Sequence, residues 1–315
     1  MEAKPEPFDL DFDLDTALTA IVGIKTRVAH DAFTAETLGT ERIGHGVLIS
    51  DDGLILTVGY LITEAAELWI TLHDGRVVAG HVLGYDYESG LGLVQALARL
   101  QAKHLELGQS NAATVGSRVV IAGTGGRRNA LVARIVAKQA FAGYWEYLLD
   151  EAIFTAPSHP NWGGAALIGP TGDLLGIGSL HVGHEDEAGR ARDVNMIIPI
   201  DLLKPVLEDL KTLGQPNRPA RPWLGVYAAE LSNRVVIAGL SGRGPAHEAK
   251  LRRGDVVLGI AGAPASSLAE FFRRLWSLGA AGVEVPLQIE RNDKRFDVIV
   301  RSADRRSVLK GPVLH

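Results

Sequence analysis

The sequence predicts a mainly β fold in two parts: a long series of short strands, then a smaller α+β unit behind a proline-rich spacer. Three observations carry this. β-type apolar runs recur between glycine-rich or charged turns, the period turns helical between Asp201 and Leu213, and Gln215-Pro216-Asn217-Arg218-Pro219-Ala220-Arg221-Pro222 is a stiff polar linker. The expected organisation is an N-terminal extension (1–17), a strand-rich domain (18–213), the linker (214–221), a second domain (222–305) and a tail (306–315). At 315 residues the chain is long enough to bury two cores.

The first domain opens on the runs Ala20–Ile24, Gly46–Ile49, Leu68–Leu72 and Val77–Leu83. Asp51-Asp52-Gly53 and His73-Asp74-Gly75 sit where hairpins turn, because glycine accepts positive φ. Further runs follow at Arg118–Ala122, Ala130–Ala137, Glu151–Thr155, Ala165–Ile168 and Leu174–Leu180. Short strands at this spacing build sandwiches or barrels, and the pattern alone does not choose between them. Leu203, Val206, Leu210 and Leu213 then recur at helical spacing, with Asp201 as cap and Gly214 as terminator. In the second domain the order is strand, strand (Arg234–Ala238), short helix near Pro245–Lys250, strand (Asp255–Ile260), helix (Leu268–Leu278) and two strands (Glu284–Arg291, Arg295–Arg301). Ser267 and Glu270 form a capping box for the longer helix.

Composition narrows the function. Apolar residues make up 46% and charged residues 22%, as in soluble globular chains, and the net charge of −5 argues against generic nucleic-acid binding. The absence of cysteine excludes disulfides, thiolate metal sites and a cysteine nucleophile. No apolar run reaches the ~18–20 residues of a membrane helix. The acidic start, MEAKPEPFDLDFDLD, lacks a signal-peptide pattern, so the sequence as it stands reads as cytoplasmic; a periplasmic location would require a signal removed earlier.

The order of motifs resembles the HtrA/DegP-type serine proteases from Thr19 to Arg305. Gly44-His45-Gly46-Val47-Leu48-Ile49 is similar to their G-S-G-V-I-I strand, and Gly53 to Ile62 to G-Y-I-L-T-N-x-H-V-I. Leu72–Arg76, Leu107–Ser110 with Val115-Gly116, and Leu167–Ile177 match further family segments in order. In the second domain, Trp223–Val226 looks like the carboxylate-binding loop of a PDZ domain, and Leu251–Ile260 like its L-x-x-G-D-V-I-L-x-I signature. The resemblance implies a trypsin-like double β-barrel followed by a PDZ domain.

Serine proteolysis needs an imidazole base, an orienting acid, a nucleophilic hydroxyl and an oxyanion hole. On the family's motifs, Tyr60 falls on the histidine, Gly90 on the aspartate and Gly163 on the serine, so the catalytic entry is empty and the vacated triad is Tyr60, Gly90 and Gly163. A gapped alignment puts Trp162 on the serine instead. Asp86 and Glu88 fall upstream of the orienting position. The amides of Trp162, Gly163 and Gly164 are left as a candidate anion-binding turn. The expectation is therefore a pseudoprotease, not an enzyme. The alternatives are a serine endopeptidase with displaced groups, Ser158 with His159 or His45, and a metal-binding pseudoprotease using His181 and His184, whose spacing on a strand is poor for one ion. No cofactor is expected.

In the PDZ-like unit, Leu224, Gly225 and Val226 are expected to receive a peptide's carboxylate, with Phe272 and Leu275 lining the groove. The plainer reading of Leu268, Phe271, Phe272 and Leu275 is the core face of an amphipathic helix. Arg273 and Arg274 read as a solvated face. Tyr60 and Trp162 would plug the old substrate cleft, or Tyr60 would pair with His45. Phe8 and Phe12 are candidates for the N-terminal contacts of a homotrimer, as the family resemblance implies, or for a disordered acidic tail. The function expected is an adaptor, scaffold or holdase that binds C-terminal or unfolded peptide, alone, as a homotrimer, or with an active HtrA relative.

Overall fold

The structure is a computed structural model that describes residues 11–185, 189 and 191–310. Phe8 lies outside the described residues.

The chain divides into two compact units, and both are mainly β. In the first, β1 (Ile21–Val28), β2 (Glu41–Leu48), β3 (Leu54–Val58), β4 (Ala65–Thr71), β5 (Val77–Tyr85) and β6 (Leu91–Ala96) close a barrel in the order β1-β2-β3-β6-β5-β4. Every residue of β3 is buried, which explains a continuous apolar run where a half-exposed strand would alternate. A second barrel follows, made by β7 (Arg118–Ala122), β8 (Ala130–Gly143), β9 (Tyr147–Ala156), β10 (Ala166–Ile168), β11 (Leu174–Glu185) and β12 (Ala191–Pro199) in the order β10-β11-β12-β9-β8-β7. This is the trypsin-like double barrel. Phe12 is half-buried and packs over Gly172, where a Cβ would come within 2.8 Å of its ring.

Two elements depart from the sequence expectation. The helix between Asp201 and Leu213 is broken: Ile200–Leu202 makes one 3-10 turn and the helix proper is Leu207–Leu213. Pro205 explains the break, because it lacks an amide hydrogen and pushes Lys204 away from helical geometry. Asp201 does not cap that helix; its carboxylate accepts from Asn111 N at 2.8 Å and Ser110 Oγ at 3.0 Å. The hairpin formed by β8 and β9 is also longer than its apolar runs, and its far end, Ala140–Asp150, belongs by its contacts to the second unit.

The second unit comprises that hairpin end and residues Arg218–Leu309. Its strands are β13 (Val226–Leu231), β14 (Arg234–Leu240), β15 (Val256–Ile260), β16 (Ala263–Pro264), β17 (Glu284–Arg291) and β18 (Lys294–Arg301). They form a sheet in the order β13-β14-β15-β17-β18, with β16 on β15. The helix Leu268–Ser277 starts at Ser267, whose Oγ accepts from Glu270 N at 3.1 Å. Its apolar stripe, Leu268, Phe271, Phe272 and Leu275, joins Val235, Ile237, Val257, Leu287 and Ile289 in one buried core. Asp255, of the Gly-Asp signature, is fully buried, paired with Arg291 at 2.6 and 2.7 Å, and accepts from Arg252 N at 2.8 Å.

Candidate functional site

The Tyr60 side chain joins the two barrels. β3 ends at Val58, and the helical turn Gly59–Ile62 carries Tyr60, whose hydroxyl donates to Ser179 O at 2.9 Å. Burial disfavours ionisation of this phenol, so it stays a neutral donor. A Cβ on Gly163 would lie 2.8 Å from Tyr60 Oη, so the tyrosine hydroxyl occupies the space that a side chain at position 163 would need. Gly90 has φ +80, accepts Gly59 N at 2.7 Å and gives its own amide to Asp86 O at 2.8 Å. The Asp86 carboxylate is engaged by the amides of Glu88 and Ser89, both at 3.1 Å, so it caps that turn.

The candidate anion-binding turn is tied down. Gly164 gives its amide to Gly178 O at 2.8 Å, Ala165 N donates to Trp162 O at 3.0 Å, and Gly163 O accepts His45 N at 2.8 Å. With the Gly164 amide consumed, the three-amide turn expected from the sequence is not built.

The histidines separate into distinct roles. His45 does not pair with Tyr60; its Nδ1 accepts from Thr124 N at 3.1 Å, and burial, with His159 nearby, lowers its pKa to about 4. His159 uses both ring nitrogens, one with Asn129 O at 3.0 Å and the other with Asn161 N at 3.0 Å. Neither serves Ser158. The imidazole that approaches Ser158 Oγ, at 3.3 Å, is that of His181, and its ring stacks on Trp162 with centroids 5.2 Å apart. Trp162 therefore covers His181. Ser158 lines a pocket of about 500 Å³ with Arg134, Val136, Ala156, Pro157, Arg192 and Asp193. His184 stacks on Phe154 at 5.9 Å, away from the His181–Trp162 pair, and no group of three metal-ligating side chains occurs among the described residues.

In the second unit the loop Trp223–Val226 is held at one end by a two-way backbone pairing of Trp223 with Ala303, both bonds at 3.0 Å. Gly225 has φ +77, which lets consecutive amides converge, and a Cβ there would come within 2.9 Å of Gly244 Cα. The amides of Leu224, Gly225 and Val226 do converge on a carboxylate: that of Glu146, at the tip of the β8–β9 hairpin. Leu224 N donates to Oε2 at 3.0 Å, and Gly225 N and Val226 N to Oε1 at 2.7 and 2.9 Å. Burial raises the Glu146 carboxyl to about 7, against the pull of the three amides and the charge of Arg305. Phe272 and Leu275 have no exposed surface; they lie in the core cluster, which also contains Leu148 of the same hairpin. Of the supposed solvated face, Arg273 binds Asp150 at 2.7 Å and Arg274 binds Glu270 one turn back. Glu146 escaped the sequence reading; the signal available was the aromatic clustering of Phe141, Tyr144, Trp145 and Tyr147 around it.

Comparison with known proteins accords with this architecture. A trypsin-like peptidase domain model matches residues 44–177 and a PDZ domain model residues 222–301. A protein named probable periplasmic serine endoprotease DegP-like, from Pseudomonas fluorescens, is 28% identical over 274 residues, covering 82% of this chain and 55% of its own length. The serine protease Do-like HtrA of Bacillus subtilis is 23% identical over 323 residues, covering 91% of this chain and 70% of itself. The chain thus spans little more than half the length of the Pseudomonas relative. Among solved structures, HtrA-type protease AlgW with decapeptide superposes with a TM-score of 0.54 at 21% identity, covering 96% of this chain and all of the other. A serine endoprotease from Yersinia pestis gives 0.52 at 22% identity, covering 94% and 99%. The expectation that the chain is not an enzyme is overturned here, because its relatives are named serine endoproteases. The chain thus carries a trypsin-like peptidase domain followed by a PDZ domain, and along most of its length it is similar to proteins named HtrA and DegP-like.

Proposed function

We propose that this HtrA-type chain captures peptides and protein C-termini through its PDZ unit, with the free carboxylate received by the amides of Leu224, Gly225 and Val226. The observation that carries the reading is the convergence of these three amides, within 2.7–3.0 Å, on one carboxylate group. Backbone donors of this kind recognise a carboxylate without demanding a particular side chain beside it. The partner is thus a peptide, a folded protein with an accessible C-terminus, or an unfolded chain that presents one. The test is fluorescence polarisation with a C-terminal peptide panel, each peptide as free acid and as amide, against the chain and its Glu146→Ala variant. Free acids binding at least tenfold tighter than amides is the expected result. Equal binding of both forms, or no binding to either protein, would overturn it. The periplasmic names of relatives favour the exported alternative over the cytoplasmic one.

A second reading has its own observation. Ser158 Oγ lies 3.3 Å from His181 Nε2 beside a pocket, a hydroxyl–imidazole pair of the kind that hydrolytic nucleophiles use. In this reading the endopeptidase chemistry named for the relatives runs on Ser158 with His181 as base. A fluorophosphonate probe should then label Ser158, and a His181→Ala variant should lose the label. An unlabelled Ser158 would remove the reading.

A further inference from the structure

We propose that the hairpin tip Tyr144-Trp145-Glu146 is a built-in occupant of the carboxylate loop, and that a peptide ending in a free carboxylate binds by displacing it. This rests on the peptide-capture reading above and adds an internal competitor to it.

The tip brings a carboxylate to the loop and a backbone contact to the neighbouring strand. Its carboxylate takes the three converging amides. Two residues before Glu146, Tyr144 O accepts from Ala228 N at 2.8 Å. β13 ends the sheet order, so this backbone bond lies on the edge where an added peptide strand would pair. Beyond it Leu148 is buried in the same cluster as Phe272 and Leu275, the residues expected to line the groove. A C-terminal peptide cannot take these amides and this edge while the tip holds them.

The tip is shaped and clamped for the role. Glu146 has φ +60, a left-handed backbone that a side-chain-bearing residue rarely adopts, here at the residue whose carboxylate enters the loop. Trp145 stacks on Tyr147 with ring centroids 5.4 Å apart, and the Tyr144 ring lies 6.0 Å from that of Tyr227. Arg305 Nη1 donates to Trp145 O at 3.4 Å, and Arg273 of the helix Leu268–Ser277 holds Asp150. Two ring contacts and two arginine contacts thus hold the end of the hairpin, and Leu148 anchors it in the core.

The experiment compares the full-length chain with its Glu146→Ala and Asp150→Ala variants in two measurements. Without peptide, hydrogen exchange should show the amides of Leu224, Gly225, Val226 and Ala228 protected in the wild type and at least tenfold less protected in Glu146→Ala. With free-acid peptide, Glu146→Ala should bind at least tenfold tighter than the wild type, and Asp150→Ala about threefold tighter. Asp150→Ala removes one exposed ion pair and keeps the carboxylate, so it decides the matter if Glu146→Ala does not fold. Unprotected amides in the wild type would overturn the internal occupant outright. Equal affinities for wild type and variants would overturn the competition while leaving the carboxylate site standing. Loss of protection in Glu146→Ala with no free-acid binding by any protein would overturn the peptide-capture reading, and the competitor with it.

Discussion

Moving the pH from 5 to 8 should loosen the hairpin tip, and its effect follows from one carboxyl. Seated, Glu146 is raised to about 7 by burial, against the amides of Leu224, Val226 and Gly225 and the charge of Arg305. Released into water it titrates at its ordinary value of 4.5. Below pH 4.5 the group is protonated in both states and the seated tip has its full stability. Between 4.5 and about 7 the released carboxyl ionises while the seated one keeps its proton, so seating takes up a proton and weakens about tenfold per pH unit. Above 7 both states are ionised and the loss is complete, at about 3 kcal/mol. From pH 5 to pH 8 the equilibrium should therefore shift by roughly a hundredfold toward the released tip. The 13C resonance of the Glu146 carboxyl reports its titration directly. Exchange protection at Leu224, Gly225 and Val226, corrected for intrinsic rates, reports seating. A carboxyl midpoint at or below 4.5, or protection that does not change between pH 5 and 8, would refute the reasoning. Glu146→Gln keeps a carbonyl acceptor and should give a flat profile.

Four substitutions test other parts of the structure. Gly225→Ala strains a residue at φ +77 and brings a methyl within 2.9 Å of Gly244 Cα; it should abolish free-acid peptide binding and cost about 1–3 kcal/mol in urea unfolding. Gly163→Ser places a side chain 2.8 Å from Tyr60 Oη and should cost about 1–3 kcal/mol, whereas Tyr60→Phe alone costs about 1 kcal/mol by leaving Ser179 O without its donor. The double mutant should recover part of the Gly163→Ser loss, and strict additivity in the cycle would show that the two positions do not compete for space. Asp255→Ala removes the buried partner of Arg291, whose side chain is 23% exposed, and should cost about 3 kcal/mol in the second unit's unfolding transition; a loss below about 1 kcal/mol would mean the pair is not a keystone of that unit.

Much of the fold was legible because it is written in local patterns. β3 came through the family motif matched by Gly53 to Ile62, and all five of its residues are buried. Ser267 and Glu270 marked the start of the helix Leu268–Ser277, since a cap is a contact across three residues and lies wholly within the sequence window that shows it. Pro205 stands inside the expected helix, and the apolar spacing of Leu203, Val206, Leu210 and Leu213 runs straight across it. The burial of Leu203, Val206 and Leu210 shows why the spacing misled. Those side chains pack inward whether a helix or a turn carries them, so the pattern reports the buried face and leaves the backbone between them undetermined.

The candidate sites were legible in proportion to how local their contacts are. Gly225 followed from its motif, because a left-handed residue at a carboxylate loop is a one-residue requirement. What fills that loop was not, since Glu146 lies 78 to 80 residues from the amides it meets. No periodicity or spacing encodes such a pairing; it arises because the β8–β9 hairpin extends until its end joins the second unit. The same holds at the cleft. Sequence placed Tyr60 and Gly163 at two positions of one vacated triad, but it treated them as separate losses. The structure makes them one substitution in space, the hydroxyl of the tyrosine standing where a side chain at 163 would stand. A side chain restored at 163 alone therefore meets the Tyr60 hydroxyl, and the order in which the two are changed decides whether the barrel tolerates the change. Tyr60 has to yield first, because Gly163 has no atom to move out of the way.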